Sequence, residues 1–167
     1  MADRAAVAAG QWRRERPELD SFPMEVLGRL AEVALVLNRD RLNPLFARFD
    51  LQPGEFDVLA TLRRSGRPYA LTPTELYEAL MISSGGMTNR IDRLEKAGFI
   101  KRRKHPTDRR GTLVALTTTG KALIDDLLDR HVENERAALS ALDPDEQRQL
   151  NDLLAKLIAG LSNDGRA

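Results

Sequence analysis

The chain has 167 residues, 42% of them hydrophobic, and its 26 basic and 25 acidic side chains leave a net charge of +1. That is enough material for one core with an appended helical extension. The absence of cysteine excludes disulfides, thiol nucleophiles and thiolate redox sensing. The only two histidines, His105 and His131, are too few and too scattered for a zinc motif, and no cofactor is expected. No run reaches membrane-spanning length and no signal-peptide core is present, so a cytoplasmic protein without a membrane partner is expected.

Residues 1–22 form an N-terminal extension, Ala-rich at first and then charged, with the composition of a frayed tail. Trp12, the only tryptophan, argues that part of it is anchored. The ring either docks the arm on the body or belongs to a binding site. From Pro23 to about Arg41 the pattern predicts a long helix with Val26, Leu30, Val33 and Leu37 in one line, widened by Leu27, Ala34, Leu35 and Val36. Such a width asks for two partners, the rest of the chain and a second subunit. Pro44 should break or kink this helix before Leu45, Phe46 and Phe49.

Gln52-Pro53-Gly54-Glu55 opens another helix, carrying Phe56, Leu59 and Leu62 and ending near Gly66. Asp57 interrupts its apolar run. Pro68-Tyr69-Ala70-Leu71 is a candidate short strand. Thr72-Pro73-Thr74-Glu75 then combines a capping box with proline at the first helical position. The short helix that follows shows one apolar face of Leu76, Ala79 and Leu80, and Met81-Ile82-Ser83 turns the chain into the next helix.

That next helix, Ser84 to Lys96 with Ser83 or Ser84 as its N-cap, has Met87, Ile91 and Leu94 on a buried line. Asn89, Asp92, Arg93 and Lys96 lie roughly opposite, with Thr88 between the faces. It ends at Gly98. Phe99 to Arg103 and Thr112 to Leu116 read as two strands around a turn rich in proline, aspartate and glycine. From Thr88 to Arg110 nine Lys/Arg stand against three acids, a local charge of +6 in a chain of +1. The charge is concentrated where a nucleic acid would need it.

Beyond the hairpin, Thr117-Thr118-Thr119-Gly120 starts a helix with Leu123, Ile124, Leu127, Leu128 and Val132, reaching about Ala141. Asp143-Pro144-Asp145-Glu146 begins a last helix whose Leu150, Leu153, Leu154, Leu157, Ile158 and Leu161 form a long stripe. From Gly120 onward six Lys/Arg face ten acids, a net of −4, which argues against DNA contact and for subunit association.

Leu71-Thr72-Pro73-Thr74-Glu75-Leu76, Ser84-Gly85-Gly86-Met87-Thr88-Asn89-Arg90-Ile91-Asp92-Arg93-Leu94-Glu95 and Asp108-Arg109-Arg110-Gly111 before Val114-Ala115-Leu116-Thr117 together resemble the MarR family of bacterial transcription regulators. The resemblance runs from about Met24 onward. It implies a mainly α fold with a small β-wing: a winged helix-turn-helix over residues 51–117, and N- and C-terminal dimerisation helices in 23–50 and 118–167. It implies a homodimer on a pseudo-palindromic operator in double-stranded DNA, the helix in the major groove and the wing tip in the minor groove. Ser84, Gly86, Thr88, Asn89, Arg93 and Lys96 are the expected DNA contacts on the helix. On the wing, Asp108 would orient whichever of Arg109 and Arg110 enters the groove.

Arg90 sits about 60° from the buried Met87 line, where a guanidinium needs a carboxylate, and Asp57 is the candidate. Trp12, Asp57, Arg90 and Arg102 resemble the ligand site of the urate-responsive subgroup of the same family, which carries an N-terminal extension with a tryptophan. By that resemblance Arg90 binds a small anion such as urate near Trp12, and Asp57 pairs with Arg102 at the base of the wing. The expected function is a ligand-responsive repressor. The alternatives are a winged-helix nucleic-acid binder without ligand control and a small enzyme, for which no metal cluster, phosphate loop or Ser/His/Asp grouping is in view.

Overall fold

The computed structural model describes residues 3–80, 86–107 and 111–164. Residues 1–131 and 132–167 form two compact units.

The extension is a helix rather than a frayed tail. α1 (Arg4–Glu15) is capped by the Asp3 carboxylate, which accepts from the Ala6 N–H at 2.9 Å. It packs on α2 (Phe22–Leu37) through small residues and opposite charges. Ala9 is buried, a Cβ on Gly28 would stand 3.0 Å from that of Ala5, and Arg4–Glu32, Asp3–Arg29 and Arg13–Glu25 bridge the pair. Composition alone could not show this, because the staple consists of pairs up to 28 residues apart.

α2 runs on through a π-helical turn (Asn38–Leu42) into α3 (Asn43–Ala47), with Pro44 in the first turn of α3. The helical path therefore continues past the proline instead of ending there. A proline has no N–H to give the preceding turn, and widening the ladder before it accommodates that loss.

α4 (Glu55–Arg64) lies at the centre of this unit: Glu55, Phe56, Val58, Leu59, Thr61 and Leu62 are all buried. Around it stand α5 (Pro73–Ala79), α6 (Met87–Lys96) and a three-stranded antiparallel sheet. The sheet order is β1 (Ala70–Leu71), β3 (Thr112–Leu116), β2 (Ile100–Lys104), so the strand expected around Ala70 and Leu71 joins the wing. In β3, Val114, Ala115 and Leu116 are buried, whereas β2 exposes everything after Ile100. Its lysines and arginines occupy an outer edge where charge discourages further strand addition.

The wing is joined to the body at its base by backbone contacts. α6 closes with Gly98 at φ +77, its N–H bonded to the Glu95 carbonyl and that of Phe99 to the Leu94 carbonyl, which is a Schellman stop. The Thr117 hydroxyl donates to the Gly98 carbonyl at 2.7 Å and accepts from the Gly120 N–H at 2.9 Å, capping α7 (Thr118–Ala138). At Gly120 the two backbones touch: a Cβ there would lie 1.9 Å from the Phe99 carbonyl oxygen.

In the second unit, α8 (Pro144–Asp164) starts at the expected cap, Asp143 accepting from Glu146 N–H at 2.9 Å while the Glu146 carboxylate accepts from Asp143 N–H. Its apolar stripe is uncovered: Leu153, Ile158 and Leu161 are all more than half exposed. Among the described residues no helix is long and apolar enough to cross a membrane.

Candidate nucleic-acid interface

The helix expected from Ser84 begins at Met87, with Gly86 at φ +85 as its N-cap. A left-handed backbone at the cap suits glycine, and among the described residues no side chain there accepts from the first N–H groups. Ser83, Ser84 and Gly85 lie outside the described residues, as do Asp108, Arg109 and Arg110 at the wing tip. On α6, Ile91 and Leu94 are buried and Met87 packs on the same core, while Thr88, Asn89, Asp92, Arg93 and Lys96 are exposed on the outer side. α5 ahead of it is set by the expected capping box, Thr72 accepting from Glu75 N–H at 3.2 Å and Glu75 from Thr72 N–H at 2.8 Å. Arg64 of α4 holds its other end through the Ala79 carbonyl.

Arg102 is where the structure departs from expectation. Its guanidinium binds Asp92 and Glu95 of α6, and Glu95 also accepts from the Arg102 backbone N–H at 2.7 Å. It is not the partner of Asp57. One strand residue of the wing is thereby clamped to two turns of the helix, and Arg102 holds the Glu95 carboxyl below its ordinary range, first through its N–H and then its side chain. The clamp also neutralises two acids beside the basic strand. Sequence periodicity placed Asp92 opposite the buried line of the helix but could not show which strand residue meets it and Glu95.

Arg93 is also held. Its Nε donates to Glu55 at 2.7 Å, joining a side chain that is 57% exposed to one that is 3% exposed. The other Glu55 oxygen accepts from the Gln52 N–H at 2.7 Å. The sequence marks Glu55 only as the start of α4. Its neighbour Gly54, at φ +82, carries the Arg90 guanidinium directly against its Cα, so that a Cβ at that position would fall 2.7 Å from the guanidinium carbon.

Arg90 and Asp57 come together as expected, though without a closed ion pair. Arg90 Nη1 is buried and lacks a hydrogen bond, and burial raises the Asp57 carboxyl above its ordinary range against the opposing pull of Arg90 and His131. His131, on α7, reaches this cluster with its ring 4.4 Å from that of Phe56, a proximity that no local motif announces. Trp12 stands on α1, which packs against α2. Among the described residues no hydrogen bond, ion pair or ring contact joins the indole to Asp57, Arg90 or Arg102. Of the four residues expected together, Asp57 and Arg90 are neighbours here, with His131 beside them.

A short capped helix, a second helix with one exposed polar face, and a basic hairpin clamped to it define a winged helix-turn-helix DNA-binding protein. The chain belongs to the MarR family of transcriptional regulators. The MarR family model matches residues 49–111, and the HTH-type transcriptional regulator PecS of Dickeya dadantii is 45% identical over 154 residues, 92% of either chain. A mutant MarR of Escherichia coli complexed with operator DNA is similar in structure, with TM-score 0.69 and 28% identity over 87% of this chain and 96% of that one. BpsR of Bordetella bronchiseptica, whose DNA binding is regulated by 6-hydroxynicotinic acid, matches at TM-score 0.63 and 25% identity over 79% of this chain and 89% of its own. The protein is thus a DNA-binding transcriptional regulator and not an enzyme.

Glu95→Gln should loosen the wing without melting α6. Amide exchange at Arg102 should accelerate while the Ile91 and Leu94 amides stay protected. Because Glu95 titrates low, the native clamp should persist as pH falls through the ordinary carboxylate range and open only below it.

Proposed function

We propose that the protein is a homodimeric repressor that reads a pseudo-palindromic operator and is released by a small aromatic anion such as urate. The observation that carries the DNA half of this reading is the exposed polar face of α6 clamped beside the basic strand β2. On that face Thr88 and Asn89 stand in the first turn of the helix, in place to meet base edges, while Arg93 and Lys96, with Ser84 and Gly86 ahead of the helix in sequence, serve the backbone. At the wing tip Arg109 or Arg110, oriented by Asp108, enters the minor groove. Dimerisation is supported by apolar residues left exposed on α2 and on α8, among them Val26, Leu27, Val33, Leu153, Ile158 and Leu161.

The ligand half rests on Arg90. A buried guanidinium nitrogen without a hydrogen bond is costly, and an anion beside it would gain a charge-assisted one. Arg90 faces an acid whose ionised form is already disfavoured by burial, so an arriving anion would displace or protonate Asp57. Since Arg102 is committed to Asp92 and Glu95, the ligand acts on α6 through Arg90 itself rather than through an Asp57 to Arg102 link. The regulation of BpsR by an aromatic acid supports this class of ligand.

In sedimentation the 18.7 kDa chain should run as a dimer at micromolar concentration. Asn89→Ala should cost on the order of 1–3 kcal/mol on the operator and little on random duplex. A tightly binding monomer, or equal losses on both duplexes, would contradict the architecture.

Calorimetry with urate tests the ligand site. Arg90→Ala should abolish urate binding and keep operator affinity, whereas Asp57→Asn should bind urate more tightly. In the native protein the affinity for an anion should rise as pH falls through the raised Asp57 pKa, because the repelling carboxylate is then neutral. Arg90→Ala that loses the operator but still responds to urate would make Arg90 a DNA contact instead.

A further inference from the structure

We infer that Glu55 is a positioning residue for DNA recognition, anchoring Arg93 by its Nε so that both Nη groups are presented to a phosphate before DNA arrives. This rests on the reading above that α6 presents Arg93 to DNA. The geometry is specific. Glu55 is buried at the start of α4, one carboxylate oxygen fixed by the Gln52 N–H and the other 2.7 Å from Arg93 Nε. Arg93 is 57% exposed, and among the described residues its Nη groups make no hydrogen bond.

A free arginine samples many rotamers, and ordering it on a phosphate opposes binding. An arginine held at Nε retains the planar two-nitrogen end of its fork, the part that engages phosphate bidentately. Burial matters as much as the bond. An exposed glutamate on this face would repel the backbone it serves, whereas Glu55 acts from beneath the arginine. A buried carboxylate without a partner is strongly disfavoured, so the pair is self-enforcing while the protein is folded.

Charge alone predicts the opposite sign, which makes the role testable. Glu55→Gln removes a negative charge close to DNA, so electrostatics without positioning gives tighter binding. Positioning gives weaker binding, by about tenfold, with the dependence on salt flattened by about one phosphate contact.

The experiment compares wild type, Glu55→Gln, Arg93→Ala and the double variant as intact dimers. The probes are the duplex recovered by footprinting the protein's own upstream DNA and a random-sequence duplex, across a salt series. Expected are matching losses of affinity and slope for both single variants, and a double variant no weaker than Arg93→Ala. Arg93→Lys, which keeps the charge but lacks the fork and leaves Glu55 a partner, should also bind about fivefold more weakly, and it serves where Glu55→Gln fails to fold. Tighter or unchanged binding by Glu55→Gln, additive losses in the double variant, or wild-type binding by Arg93→Lys overturns the inference. An Arg93→Ala without effect on either duplex removes Arg93 from the interface, and the role of Glu55 with it.

Discussion

The reading head depends on the burial of α4. Val58, Leu59 and Leu62 have no solvent exposure, and each such side chain contributes about 1.5–3 kcal/mol by leaving water. A helix with so much of its surface buried fixes the elements around it, and α5, α6 and β3 all lean on it. The residues at its two ends then act on neighbouring elements from a rigid base: Gly54 and Glu55 on α6, Arg63 on α7 and Arg64 on the end of α5.

Given that base, the helix and the wing are not two independent reading devices. Arg102 ties β2 to Asp92 and Glu95, and Glu55 ties α6 to α4. The two links use their arginines differently. A local excess of positive charge in the sequence overstates what is available to phosphates, since Arg102 is committed to two carboxylates, whereas Arg93 is held at Nε alone and keeps its Nη groups exposed. What remains free on α6 is polar more than basic, which suits selective reading better than general adhesion.

Local patterns carried much of this into the sequence. The buried line of α6, the Thr72 and Asp143 capping boxes, the extra strand at Ala70 and Leu71 and the stop at Gly98 each depend on residues within a few positions, and each appears as expected. The misses share a different cause. α1 is held by ion pairs to a helix that begins after a loop, Arg102 meets acids of another element, and Glu55 looks like an ordinary first-turn acid until the fold places Arg93 over it. The N-cap of α6 also differs, with Gly86 at a left-handed φ where serine was expected. Pairings across elements are properties of packing, and no short window of sequence contains them.

The meeting of Gly120 with Phe99 sets how motion can travel. Most helix–strand junctions include side chains whose rotamers absorb small shifts, so a tilt on one side is damped before it reaches the other. Here main chain rests on main chain, secured by one threonine hydroxyl that serves both elements. The first turn of α7 and the root of the wing therefore behave as a stiff joint with no slack. A reorientation of α7 near its origin would swing the hairpin by the same angle, and the displacement would grow along the strands toward their tip.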